Sequence, residues 1–153
     1  MYHFYLQKNR VMFILTLLIA GCSIVPMQEM SDARQAIQAA RHVKANSITP
    51  PTFAKAKQQL TQAEENLEAG EFKQARQAAI LAKKQALNAY NVAIAIQRAK
   101  KLWQTLSRIT DNMGQTLLEK AQFAALEGKV EKAINLAEKA YRQAKKTKKL
   151  NEK

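Results

Sequence analysis

Cysteine, histidine, glycine, proline and aromatic residues are all scarce in this sequence. One cysteine, Cys22, stands among 153 residues, so no intramolecular disulfide can form. Two histidines, His3 and His42, lie far apart and make no His/Cys cluster of the kind that binds a metal. Four glycines and three prolines leave few turns, and no glycine-rich phosphate loop follows a strand-like run. Aromatics are 7% of the chain, which excludes a large aromatic-filled core. Acidic residues are also few, 12 against 25 basic ones, for a formal charge of +13. No catalytic group, cofactor or metal site is expected, and the chain reads as a non-enzyme.

What is present is alanine, 26 of it, with glutamine, lysine, leucine and glutamate. That is the composition of long helices. The expected fold is all-α, an elongated set of antiparallel hairpins sharing a long central helix.

The first residues read as an address. Lys8 and Arg10 make a cationic start, and Val11 to Leu18 is apolar except for Thr16. A membrane-spanning helix needs about 20 apolar residues, so this shorter run has the proportions of a cleaved signal. Removing Lys8 and Arg10 with it lowers the charge to +11. Leu18-Ile19-Ala20-Gly21-Cys22 resembles the lipobox of bacterial lipoproteins. The resemblance implies a signal over 1–21 and an acylated Cys22 as the new N-terminus. Ser23, where inner-membrane lipoproteins usually carry Asp, implies the outer membrane by the same resemblance, and the expected location is its periplasmic face. Residues 22–30 then form the lipidated cysteine and a linker, reaching at most about 25 Å.

The helical body is expected over 31–150. Ser31-Asp32 is the candidate N-cap of a first helix over about 32–45. Asn46-Ser47 and Pro50-Pro51 end it. Phe53, Ala56, Leu60, Ala63 and Leu67 then recur at alternating spacings of three and four, a coiled-coil-type seam stopped by Gly70. A third helix opens near Glu71, with Phe72, Ala75, Ala79, Ala82, Ala86, Ala89, Ala93 and Ile96 in its seam. Trp103, Leu106, Met113 and Leu117 extend that seam. No proline interrupts 72–127, so one long, kinked helix is expected, although Thr110-Asp111-Asn112 with Gly114 offers an alternative cap. Gly128 stops it. A last helix over about 130–148 carries Val130, Ala133, Ala137, Ala140 and Ala144, with a frayed tail from Lys145.

The two glycine stops sit 58 residues apart, and Ala75, Ala79, Ala82 and Ala86 overlay Ala133, Ala137, Ala140 and Ala144. Each hairpin resembles half of a tetratricopeptide repeat through Gly70-x-Phe72-x-x-Ala75 and Gly128-x-Val130-x-x-Ala133, although the period is longer than that repeat's. A resemblance over about 30–100 rests on the Ala-rich first helix, Pro50 with Phe53 and Leu60, and Gly70-Glu71-Phe72-x-x-Ala75. It is to a domain of unknown function in bacterial envelope lipoproteins, often found beside OmpA-like domains. It implies a helical fold and an envelope location, and leaves activity open.

Few residues are candidates for chemistry. Glu64 and Glu68 share a helix face as an acid/base pair would, but a solvated face flanking the seam is the plainer reading. His42 reads as a solvated residue near a helix end, and Trp103 and Tyr90 as seam residues. The sharper feature is charge. Between Phe72 and Thr110 there are eight basic residues and no acidic one. Lys73, Arg76, Lys83, Lys84, Arg98, Lys101 and Arg108 fall within an arc of roughly 120° on an ideal helix, while Lys100 lies off it. That stripe is expected to face solvent, away from the alanine seam.

Three functions follow as expectations. The first is a lipid-anchored scaffold of the envelope that binds another envelope protein. The second is a module for an anionic envelope polymer, peptidoglycan or lipopolysaccharide. The third is a pilotin-like assembly factor. Nucleic acid suits the charge but not the compartment.

Overall fold

The seam of alanines from Ala75 to Ala99 builds the element on which the others rest. In the computed structural model, which describes residues 25–106 and 112–151, this stretch lies in a helix of 34 residues, Phe72–Thr105. In chain order the helices are α1, Met27–His42; α2, Ala45–Ile48; α3, Pro50–Glu68; α4, Phe72–Thr105; α5, Asn112–Leu126; and α6, Val130–Asn151. No strand occurs among the described residues, and the fold is all-α.

Helix α4 spans about 51 Å at 1.5 Å per residue. Its first half packs against α1 and α3, and its second half against α6, with α5 laid on α6. Four apolar clusters mark its length. Ala78, Ala79 and Ala82 meet Met30, Ala33 and Ala63. Ala86, Ala89 and Ala93 meet Ile37, Ala40, Phe53 and Ala56. Val92 and Ile96 meet Ala121, Ala125, Ala133 and Ala137. Trp103 and Leu106 meet Ala144. Methyl side chains let helix axes approach toward the short end of 8–10 Å, which is how small residues bury a core without large ones.

Both glycine stops have the same geometry. Gly70 has φ +75° and Gly128 has φ +72°. Gly70 N–H donates to Leu67 O and Glu71 N–H to Asn66 O, at 3.1 and 2.8 Å. Gly128 N–H donates to Ala125 O and Lys129 N–H to Ala124 O, at 3.0 and 2.9 Å. These are two Schellman endings, in which a left-handed residue lets the turn satisfy the helix's last carbonyls. The second hairpin's turn sits over the start of α3. Buried Thr49 donates its hydroxyl to Ala125 O, and Pro51 lies beneath Gly128.

Five expectations are corrected. The first helix begins at Met27 behind Pro26, and Ser31 and Asp32 lie in its second turn. Buried Met30 anchors the first turn, so residues 27–30 belong to the helix and not to a linker. Asn46 and Ser47 do not end the first helix. It breaks at Lys44, which takes the left-handed conformation at φ 56°, and they form the single turn α2. The stretch 72–127 is two helices. Gly114 lies under the Trp103 ring, a contact that a continuous helix would hold about 16 Å apart. Met113 is 66% exposed and is not a seam residue, because the neighbouring Gly114 takes the inward position. Finally, α6 stays helical past Lys145 to Asn151, with Ala144 and Thr147 buried.

The two kinds of glycine should separate on substitution. An added Cβ at Gly70 meets nothing within 4 Å, so Gly70→Ala is expected to cost only the left-handed backbone term, about 1–2 kcal/mol. At Gly114 it would fall 1.8 Å from Trp103 Cζ2, so Gly114→Ala should displace the ring and its 3.1 Å bond from Nε1 to Ala140 O. Overpacking of that kind adds about 1–3 kcal/mol. Chemical denaturation gives the two costs. Trp103 is the sole tryptophan, so its emission should shift to the red in Gly114→Ala and stay unchanged in Gly70→Ala.

Candidate interaction surface on the long helix

The alanine face of α4 turns inward, so its opposite face is what the molecule presents. With 100° per residue, the buried Ala79, Ala82, Ala86, Ala89 and Ala93 lie roughly 180° from a line through Lys73, Ile80, Lys84, Leu87, Asn91, Ile94 and Arg98. That outer line is exposed along its length.

The basic stripe is on this face, but its members differ. Lys73, Lys84 and Lys101 are exposed. Arg76 Nε is 2.8 Å from Glu29 Oε1, and Lys83 Nζ is 2.8 Å from Asp32 Oδ2. These two cations therefore tie the edge of α4 to α1 rather than standing free in solvent. Arg98 lies over the Tyr141 ring at 4.3 Å from its centroid, and its Nη2 donates to Tyr141 Oη at 3.3 Å. That is a cation–π contact at an exposed site, about 0.5–1 kcal/mol. Lys101 borders a shallow cleft of about 380 Å³ with Arg98, Tyr141 and Lys148. Arg108 and Cys22 lie outside the described residues.

The other candidates take structural places. Glu64 Oε1 accepts from Arg34 Nη2 at 2.9 Å, linking α3 to α1, while Glu68 is exposed at the end of α3. Arg34 occupies the carboxylate that a paired acid/base site would use. His42 is exposed in the last turn of α1. Trp103 is buried and Tyr90 half-buried against the core. No group of three or more metal-ligating side chains occurs among the described residues.

Three residues of this face escaped the sequence reading: Ile80, Leu87 and Ile94, with 52%, 43% and 37% of their surface exposed. They sit at intervals of seven, among the cations and not beside them. The signal was present. Placing every large apolar residue of 72–105 on the same helical wheel as the lysines puts these three in the centre of the basic arc.

The architecture defines a class, a helical-hairpin domain gathered on one alanine-rich helix. Residues 28–103, from α1 to the last turns of α4, match the family model described as "Domain of unknown function (DUF4398)". The expected resemblance to a helical domain of unknown function is met over those residues. No curated protein and no solved structure matches the chain.

The Asp32 carboxylate, paired with Lys83 across α1 and α4, sets a pH dependence. The hydrogen bond from Lys83, and then that from Gln28, hold the Asp32 carboxyl below its ordinary range. A depressed carboxylate stabilises the fold above its unfolded pKa of about 3.9, and that contribution is lost as the pH falls through the lower folded value. Thermal melts of wild type and Asp32→Asn should therefore differ slightly at pH 7 and converge as the pH falls through the lowered Asp32 value. A gap that stays constant over this range would assign the difference to packing.

Proposed function

We propose that this protein is a lipid-anchored, non-enzymatic scaffold on the periplasmic face of the bacterial outer membrane, holding a helical interaction surface near the lipid. The observation that carries the reading is Leu18-Ile19-Ala20-Gly21-Cys22 behind a short apolar run. The short tether supports it. Helix α1 begins five residues after Cys22, a distance of at most about 17 Å of extended chain. No helix among the described residues is long and apolar enough to cross a membrane. Each buried methylene contributes about 0.8 kcal/mol, and two or three acyl chains hold where one dissociates. A second reading, binding to anionic peptidoglycan or lipopolysaccharide, is favoured by exposed Lys73, Lys84 and Lys101.

Metabolic labelling with palmitate tests the anchor. Wild type should incorporate label and sediment with outer membranes. Cys22→Ser should incorporate none and remain as the longer precursor. Label that persists in Cys22→Ser would overturn the lipobox reading.

A further inference from the structure

We propose that the outer face of α4 is a docking site for an acidic amphipathic helix of another protein, seated on Ile80, Leu87 and Ile94. This deepens the scaffold reading by naming the partner's chemistry, and it rests on a different part of the chain from the anchor.

The apolar residues come first. Ile80, Leu87 and Ile94 recur every seven residues and fall within about 40° of one another, which keeps them in line for about two turns on either side of Leu87. A spacing of seven is what a second helix follows when it supercoils along the first. Each side chain is about half sunk between its neighbours, at 52%, 43% and 37% exposure. Half-sunk branched side chains leave ridges and holes that another helix can fill. They do not project as residues that enter a bilayer do.

Charge then selects the occupant. Helix α4 carries no acidic residue from Phe72 to Thr105, while Lys73, Lys84, Arg98 and Lys101 are interspersed along the apolar line. A second copy of this face is unfavourable in either direction. Parallel pairing in register sets Lys84 against Lys84 and Arg98 against Arg98. Antiparallel pairing centred on Leu87 brings Lys101 to Lys73. A helix with an apolar residue at every seventh position and Asp or Glu beside it satisfies both the line and the cations. Arg98 is already held by Tyr141, so little side-chain freedom is lost when it donates to a carboxylate. Beside Ile94, a recess of about 340 Å³ bounded by Asn91, Ile134, Glu138 and Tyr141 takes a larger apolar side chain of the partner. Glu138, at its rim, disfavours an acid at that point and so fixes the register of the partner's carboxylates toward Lys84 and Lys101.

The test uses the full chain and a designed peptide of about 28 residues, four heptads, with Leu at the a and d positions and Glu beside them. Control probes are the same peptide with Lys for Glu, polyglutamate of equal charge, and vesicles of phosphatidylglycerol and phosphatidylcholine. The proposal expects the acidic peptide to bind and the lysine peptide not to. It expects affinity to fall with salt, since exposed charges are screened beyond about 8–10 Å. The variant Ile80→Ser/Leu87→Ser/Ile94→Ser should raise Kd at least about tenfold. Because all three side chains face outward, its circular dichroism should match wild type, and its melting temperature should fall only by what the half-sunk surface contributes. Lys84→Glu/Arg98→Glu should reverse the preference, taking the lysine peptide over the acidic one. Four results would each overturn the proposal: no binding of the acidic peptide up to about 1 mM; equal binding of polyglutamate; an unchanged Kd in the folded triple-serine variant; or vesicle binding that depends on the three residues while the peptide does not bind. Because the anchor is read by palmitate and the face by peptide, failure of one leaves the other standing.

Discussion

The close approach of helices to the alanine face of α4 governs the rest of the structure. Ala75, Ala79, Ala82, Ala86, Ala89, Ala93 and Ala99 are fully buried there. Methyl groups leave room for backbones to come near, and dispersion then acts between whole helix surfaces and not a few large side chains. The same geometry forbids bulk. A leucine in that row would hold a neighbouring helix away or force side chains off their rotamers. Where α4 carries branched residues, they are therefore found inside only toward its second half, at Val92 and Ile96. Elsewhere Ile80, Leu87 and Ile94 face out. The exposed apolar line is thus a consequence of how the core is made.

The second consequence is sharing. One helix offers its first half to α1 and α3 and its second half to α5 and α6, so neither hairpin closes a core alone. The two Schellman endings give each hairpin the same turn, yet the surroundings differ. Gly70 stands in the open, whereas Gly128 rests on Pro51 and its hairpin bonds to Thr49. The turn of the second hairpin thereby serves as a cover for the start of α3.

Local features were legible in the sequence and distant ones were not. The alternation of three and four placed Ala63, Ala79, Ala86, Ala137 and Ala144 inward correctly, because burial on a helix follows its period. Both positive-φ glycines were visible as stops. The end of α4 at Thr105 was not, since neither proline nor glycine marks it, although the alternative cap at Thr110-Asp111-Asn112 falls where α5 begins. Beyond that end, Gly114 lies under the Trp103 ring, and a glycine tolerated inside a helix looks the same as one required under a ring. Pro26 as the lead into α1 was hidden by a better-looking cap at Ser31-Asp32. The partners of Arg76 and Lys83 were hidden as well. Glu29 and Asp32 are far away along the chain, and only the packing of α1 on α4 turns two members of a basic stripe into ion pairs.

Native-state hydrogen exchange tests the shared helix most directly. If α4 joins both hairpins into one cooperative unit, the amides of Ala86 to Ile96 should be the slowest to exchange. Core amides of α3, such as Ala63, and of α6, such as Ala137, should open with the same free energy as those of α4, and with the same dependence on denaturant. The contrary result is separation. If α5 and α6 exchange through an opening of much lower free energy while α1, α3 and the first half of α4 stay protected, the hairpins stand apart and the alanine row of α4 does not bind them into one fold.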